Sequence, residues 1–401
     1  MSSTDLLSRL GVRRRLNAAG TLTRLGGSLM APQVLEAMRD AAACSVDMAE
    51  LQTAAGRRIA ELMGAEAAMV TSGASAAMTL ACAACLAGWQ AAAMARLPQT
   101  EGMPNRMLMA RTHRNTYDHA VRLAGAQIVD IGHNDHGTGA GVRGLEAWEI
   151  EAAIDDQVVG MVFTATSHTL RDLPQVIETL HVHGRLVIVD AAAQLPPRGN
   201  LQRLIAMGAD LVIFSGGKAI GGPQSTGILA GRRMLIGSAL VQMMDMDVHP
   251  ATWMPAGLID RAALKGLPTH GIGRGFKVGK EEIAGLVCAL ERYLATDEQA
   301  QHHLWMQRLL AVRARLIQHA GLSTELLDCA PGAGVPCLAI RPAQADVFRL
   351  SLALQALPLP LHLGESRIND GVLLFNPIAL RPEDDEAAAR CLLQTLLEIE
   401  S

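Results

Sequence analysis

Two residues separated by 28 positions carry the strongest chemical signal in this sequence, Asp190 and Lys218. Asp190 closes the apolar run Leu186-Val187-Ile188-Val189, and Lys218 ends Ser215-Gly216-Gly217-Lys218, four residues past the run Leu211–Phe214. Both runs read as buried strands, so both side chains are expected at strand carboxyl ends with one helical crossover between them. A lysine in a glycine-flanked turn at the mouth of a buried sheet is desolvated, which lowers its pKa and leaves a nucleophilic amine. An acid at a neighbouring strand end holds a heteroaromatic nitrogen protonated. A pyridoxal phosphate enzyme needs that pairing: a lysine for the aldehyde and a carboxylate for the pyridinium. Taken singly, a solvated loop lysine and a helix-capping aspartate are commoner explanations.

A third element joins them. Thr71-Ser72-Gly73-Ala74-Ser75 lies between a short apolar run and an Ala-rich helical run. Glycine lets a phosphate approach the backbone, the N–H groups of a helix start point at it, and hydroxyls add donors. A Ser/Gly turn alone is weak, because ordinary helix caps look the same. With the strand-end acid and lysine it completes a phosphate cup, a ring-nitrogen partner and an aldehyde anchor. Ser215 is placed to add another phosphate contact.

Competing motifs are weaker. Gly271-x-Gly273-x-Gly275-x-x-x-Gly279 has no strand before it and the wrong spacing for a dinucleotide loop, so a flexible inter-domain hinge is the expectation. Cys82-x-x-Cys85 has no second Cys/His pair, and His133/His136 and His181/His183 have no acidic or cysteine company in sequence. No metal site is therefore expected. Met243-Met244-x-Met246 reads as helix packing.

The elements that must position these residues alternate. Strands are expected at Ala67–Val70, Met107–Ala110, Gln127–Ile131, Val158–Ala165, Leu186–Val189, Leu211–Phe214 and Gly227–Ala230, with helices such as Tyr117–Leu123, Leu173–His183 and Leu201–Met207 between them. Such alternation predicts an α/β fold with a mostly parallel seven-stranded sheet covered by helices on both faces, and ligands beyond the strands' carboxyl ends. Past residue 230 the texture changes to a Met-rich helix (Leu235–Met246), a Pro/Gly-punctuated connection, long helices at Glu281–Ala295 and Gln299–His319, strands at Pro336–Arg341 and Gly371–Asn376, and a closing helix at Glu383–Ile399. The expected organisation is an N-terminal segment over 1–45, without a sheet of its own and packed on the small domain. A large cofactor-binding domain over 46–248 and a smaller α+β domain over 249–401 follow.

Composition excludes other classes. The 401 residues are 50% hydrophobic with 38 glycines, which rules out a mainly disordered chain. Lys+Arg 35 against Asp+Glu 39, with no basic block, argues against a nucleic-acid partner. Seven scattered cysteines fit a reducing, cytoplasmic setting, and the first 30 residues lack the apolar core of a signal peptide. The charge-free stretch from Ala67 to Ala95 is long enough for a membrane span, but Thr71–Ser75 interrupts it, so a strand, a turn and a buried helix are expected instead.

The segments Leu16-Asn17-Ala18-Ala19-Gly20-Thr21-Leu22-Thr23, Thr71-Ser72-Gly73-Ala74-Ser75-Ala76, Val189-Asp190-Ala191-Ala192-Ala193-Gln194-Leu195-Pro196-Pro197 and Ser215-Gly216-Gly217-Lys218-Ala219-Ile220 resemble the selenocysteine-synthase-like group of pyridoxal phosphate-dependent, fold-type I enzymes. Gly222–Gly227 and Lys277–Glu282 extend the likeness, which runs from about residue 11 to 395. The group includes selenocysteine synthase and the D-glucosaminate-6-phosphate ammonia-lyase type. The resemblance implies that Lys218 anchors the cofactor, Asp190 pairs with its ring nitrogen, and Ser72, Gly73, Ala74 and Ser215 hold its phosphate. It further implies that His113 covers the ring face, Gln194 contacts the 3-oxygen, and Ser225 and Thr226 reach the phosphate of a partner in a homodimer or larger homo-oligomer. Arg24, Arg274 and Arg367 are the candidates for the substrate carboxylate.

The expected reaction is that of a lyase acting through an α-carbanion. It would eliminate from a small β-hydroxy amino acid or amino sugar acid and release ammonia and a keto acid. A racemase, an aldolase, an aminotransferase or an inactive pyridoxal phosphate-binding scaffold are the alternatives. A tRNA substrate is not expected, since the chain has neither a basic face nor a separate N-terminal domain.

Overall fold

A computed structural model describes residues 6–133, 145–255, 257–264, 266–343 and 345–400, so His136 lies outside the described residues. The chain divides into two compact units, Met30–Arg292 and a smaller one made of Met1–Leu29 with Tyr293–Ser401.

In chain order the strands are β1 (Leu16–Ala18), β2 (Ala67–Thr71), β3 (Arg106–Ala110), β4 (Gln127–Ile131), β5 (Val158–Thr164), β6 (Leu186–Asp190), β7 (Leu211–Ser215), β8 (Gly227–Gly231), β9 (Leu322–Leu327), β10 (Cys337–Pro342), β11 (Leu361–Leu363) and β12 (Leu373–Phe375). The large unit is built on one seven-stranded sheet of order β2-β8-β7-β6-β5-β3-β4. Only β8 runs antiparallel to its neighbours. The remaining pairs are parallel. A parallel sheet covered on both faces needs continuous apolar strands rather than alternating ones. β2 and β8 are buried along their whole length, and β7 up to its last residue. β4 alternates little and exposes Gln127 and Asp130, as an edge strand should.

The charge-free stretch resolves as expected. β2 is followed by the helix Ala74–Ala87, which buries eleven residues around its whole circumference. Among the described residues no helix is long and apolar enough to cross a membrane.

The smaller unit holds two sheets. β10 lies between β9 and β12, antiparallel to both. β1 pairs parallel with β11, Leu16 opposite Leu361. Helices Glu298–Leu316, Val347–Ala356 and Asp385–Glu400 supply Leu309, Val312, Leu350 and Leu392 to its core with Ile340 and Phe375.

Two expectations need correction. The N-terminal segment does contribute a strand, β1, which is too short to show a period of its own. The division between units falls at Met30 and Arg292 rather than at 45 and 248. Close packing explains the second difference. Added Cβ atoms at Gly271 and Gly273 would lie 2.6 Å from Gln242 Cα and 2.4 Å from Leu80 Cδ2. These glycines are therefore contact points for the helix Arg233–Met243 and not a hinge. On the helix Lys280–Ala295, Gly285 lies against Met38 and Pro223, and Lys280 Nζ donates to Ala42 O at 3.1 Å. Residues 30–45 and 249–292 thus belong with the large unit.

Candidate active site

Strand register collects the candidate residues at one sheet edge. Gly227, the first residue of β8, stands opposite Thr71 of β2 on one side and Ser215 of β7 on the other. Asp190 of β6 pairs with Ile213 of β7 and with Thr164 of β5. The turn after β2, the turn after β7 and the end of β6 therefore emerge side by side at strand spacings of about 4.8 Å.

The turn at 72–75 is shaped from within. Gly73 caps the helix Ala74–Ala87 at φ 124°, a backbone conformation open to glycine, and Thr71 Oγ1 donates to Gly73 O at 3.0 Å. Ser72 and Ala74 are half-buried. An added Cβ on Gly73 would meet nothing within 4 Å, so the cap has open space beside it. The first N–H groups of a helix have no intrahelical acceptor and face such a space.

Lys218 owes its position to glycines. An added Cβ on Gly216 would lie 2.1 Å from Thr226 Oγ1, and one on Gly217 would lie 2.5 Å from Gln224 Cα. Gly216 N–H donates to Thr226 O, Gly222 N–H to Gly216 O, both at 2.9 Å, and Gly221 N–H to Lys218 O at 3.0 Å. A tight loop results, with Lys218 at its tip. Burial lowers the Lys218 pKa, and Asp190 partly restores it. Burial raises the Asp190 pKa, against the pull of the Ala192 N–H at 3.1 Å and of Lys218. The two groups thus lie close enough to shift one another, and burial dominates at both. That leaves a nucleophilic amine facing a carboxyl that stabilises any cation placed beside it.

His113 follows β3 and is 4% exposed. Its ring meets Phe163 edge-on, centroids 4.6 Å apart at 80°. Thr164 Oγ1 and Asn115 Nδ2 both donate to its backbone carbonyl, at 3.1 Å each. Burial pushes its pKa down to about 4, so the imidazole is neutral at physiological pH, and Nδ1 has no partner among the described residues. Sequence reasoning found His113 but missed Phe163, Thr164 and Asn115, which hold it. Phe163 and Thr164 end an apolar run and carry no motif of their own.

Gln194 is half-buried in the turn after β6, which Asn200 Nδ2 closes by donating to Gln194 O at 2.8 Å. Ser225 is exposed, but Thr226 is not: its hydroxyl is fully buried and donates to Pro223 O at 2.5 Å. Thr226 is therefore corrected from a cross-subunit phosphate donor to an internal brace of the Lys218 loop. His181 is corrected too. Its Nε2 lies 3.0 Å from Asp210, an acidic partner 29 residues away that also accepts from Val187 N–H at 2.6 Å.

The three arginines are already tied. Arg274 pairs with Asp245 at 2.7 Å, beside a cavity of about 560 Å³ lined by Met243, Met244 and Lys277 in the large unit. In the small unit Arg24 lies 3.8 Å from Glu365, and Arg367 lies 3.5 Å from Asp370. Arg24 has the loosest pair and a half-exposed side chain.

Three features of the large unit suit pyridoxal phosphate: an open helix cap for a phosphate, a buried carboxyl beside an amine, and a buried imidazole with an unpartnered nitrogen.

Comparison with known proteins agrees. The family model described as aminotransferase class-V matches residues 34–294. The chain is 31% identical to the 5'-C-glycyluridine monooxygenase-decarboxylase of Streptomyces sp, over 99% of this chain and 93% of that protein. It is 30% identical to the D-glucosaminate-6-phosphate ammonia lyase of Salmonella typhimurium, over 91% of this chain and 88% of that one. A solved structure of D-glucosaminate-6-phosphate ammonia-lyase shares the fold, with a TM-score of 0.82, 24% identity and full coverage of both chains. With a seven-stranded sheet that carries its acid and lysine at adjacent strand ends, this chain belongs to the aminotransferase class-V family, in the selenocysteine-synthase-like group of fold-type I pyridoxal phosphate enzymes.

Proposed function

We propose that the protein is a pyridoxal phosphate-dependent lyase. It acts on a small β-hydroxy amino acid or amino sugar acid through an α-carbanion and releases ammonia and a keto acid. The observation that carries this is the placement of Asp190 and Lys218 at the carboxyl ends of the neighbouring strands β6 and β7, beside an open helix cap. Likeness over 91% of the chain to a protein named as an ammonia lyase supports the choice of reaction.

The cofactor, when bound, supplies an electron sink for a carbanion at the substrate's α-carbon. The chain's own residues supply the rest. Lys218, its pKa lowered by burial, would hold the cofactor's aldehyde end and would hold the substrate's α-proton on Nζ when free. Asp190 would hold a proton at the ring nitrogen through its carboxylate oxygens. Ser72, Gly73, Ala74 and Ser215 would hold the phosphate. His113, neutral and wedged on Phe163, would cover the cofactor ring and exclude water there. Gln194 serves the 3-oxygen. Arg24, Arg274 and Arg367 are the candidates for the substrate carboxylate, each with a carboxylate partner to exchange. Ser225, exposed on the Lys218 loop, is the residue we assign to a partner subunit's phosphate in a homodimer. Seven free thiols fit a cytoplasmic, reducing setting.

The test is release of ammonia and keto acid from β-hydroxy amino acids and amino sugar acids, without oxygen and without an amino acceptor. Strict dependence on an added keto acid makes the protein an aminotransferase and refutes the lyase reading. A second reading, oxidative decarboxylation, is favoured by a relative of that name which matches 99% of the chain. Oxygen uptake with carbon dioxide release from an amino acid identifies it.

A further inference from the structure

The proposed function sets two residues against the cofactor ring, His113 and Asp190, and both are fastened to the end of β5. Three consecutive residues do this. The fully buried Phe163 ring meets the His113 ring edge-on, with centroids 4.6 Å apart. Thr164 Oγ1 donates to His113 O at 3.1 Å. Ala165 N–H donates to Asp190 O at 2.9 Å, and Thr164 stands opposite Asp190 in the β5–β6 register. Successive side chains leave a strand on opposite faces. Phe163 and Thr164 therefore hold the His113 turn from both faces of β5, one at the ring and one at the backbone.

Thr164 is itself anchored. Thr169 Oγ1 donates to Thr164 O at 2.8 Å and accepts from Thr166 N–H, also at 2.8 Å. Thr166 Oγ1 in turn accepts from Thr169 N–H at 3.1 Å and from His168 N–H at 3.3 Å. The turn after β5 thus closes on itself and holds the Thr164 carbonyl from behind. Asn115 Nδ2 is a second donor to His113 O, at 3.1 Å, and a carbonyl with two lone pairs takes both donors at once. His113 Nδ1 has no partner among the described residues, so the place of the ring depends on its backbone and on Phe163.

The side chains of a site keep their geometry only while the groups behind them are locked. We propose that, given the roles assigned above to His113 and Asp190, Thr164 is a positioning residue: through His113 O and the β5–β6 register it fixes the imidazole relative to the carboxyl and so sets the space that admits the cofactor ring. Thr164 acts only through the residues it holds.

The test compares full-length variants before and after addition of pyridoxal phosphate, with histidine rings carbon-labelled for NMR and the His113 signal assigned from His113→Phe. In the parent that ring should titrate at about 4, a value that burial alone produces. Thr164→Val replaces the hydroxyl by a methyl group. Its His113 ring should gain water and titrate about one pH unit higher. Its affinity for pyridoxal phosphate should fall about fivefold, the worth of one hydrogen bond. Thr164→Ser keeps the donor and should restore both. Thr179→Val is the control, since it removes a 2.8 Å bond from a buried hydroxyl to Gln175 O on the helix Leu173–Val182. It should lower the melting midpoint as Thr164→Val does, with the His113 titration and the cofactor affinity of the parent. If Thr164→Val does not fold, Asn115→Ala, which removes the other donor to the same carbonyl, should move both readouts in the same direction. An unchanged His113 titration in Thr164→Val would overturn the proposal, and so would a Thr164→Ser variant as impaired as Thr164→Val. A displaced His113 signal with unchanged cofactor affinity overturns it in another way, because the cofactor ring then does not stand at His113 and the reading of the site fails first.

Discussion

Gly227→Ala is the sharpest probe of the phosphate cup, because it presses on the 72–75 turn without changing any residue assigned to the phosphate. An added Cβ would lie 2.5 Å from Gly73 C, 2.7 Å from Ala74 N and 2.7 Å from Gly73 O. All three are backbone atoms of the turn, so no side chain can swing aside. Ordinary contact between such atoms is about 3.5–4.0 Å, so the turn must retreat by about 1 Å. A hydrogen bond of about 2.9 Å stretched by that amount passes out of range. Losing two charge-assisted bonds at about 1.5–3 kcal/mol each predicts a loss of about 3–6 kcal/mol in phosphate binding, two to four orders of magnitude in cofactor affinity. The overpacking itself costs about 1–3 kcal/mol of stability. Cofactor titration by absorbance, run beside thermal melts, separates the two effects. Gly199→Ala is the control, since its Cβ would meet nothing within 4 Å. If Gly227→Ala holds the cofactor within threefold of the parent, the 72–75 turn does not bind its phosphate and the reasoning fails.

Other outcomes follow from the same geometry. Borohydride reduction of the yellow protein should place the adduct on Lys218, and a peptide map that finds it on Lys277 or Lys280 removes the anchor assignment. Asp190→Asn should lower turnover by about 10²–10³-fold, as removal of a preorganised charge does elsewhere. Asp190 also raises the Lys218 pKa, so in Asp190→Asn the amine titrates lower and cofactor loading at mildly acid pH should slow less than in the parent. Stopped-flow loading rates check that sign. His113 titrates near 6.5 when unfolded and at about 4 when folded, so the unfolded chain binds the extra proton between those values. Stability should fall as pH drops through that window, by on the order of 3 kcal/mol in all, and His113→Phe should flatten the slope of denaturation midpoint against pH. Ser225→Ala should weaken cofactor retention with the melting midpoint unchanged, whereas Thr226→Val should lower the midpoint by losing the brace to Pro223 O. A monomer by light scattering removes the Ser225 role.

What the sequence determined by itself was the large sheet and the ends of its strands. Each of its seven strands was legible within a residue or two; for all but the edge strand β4 the reason is that a sheet buried on both faces requires nearly unbroken apolar runs, and such runs stop where polar residues begin. The placement of Asp190, Lys218 and the Ser72–Ser75 turn at or just past strand ends was legible for the same reason. Short strands were not: β1 and β11 have three residues each, too few for a period, and they exist by pairing with one another. Tertiary structure alone decided which glycines are steric necessities. Gly216, Gly217 and Gly227 differ from the open Gly199 only in what stands opposite their absent Cβ. It also reversed two readings of side chains. Thr226 looked like an available hydroxyl until its burial on Pro223 O, and His181 looked unaccompanied until β7 brought Asp210 to it.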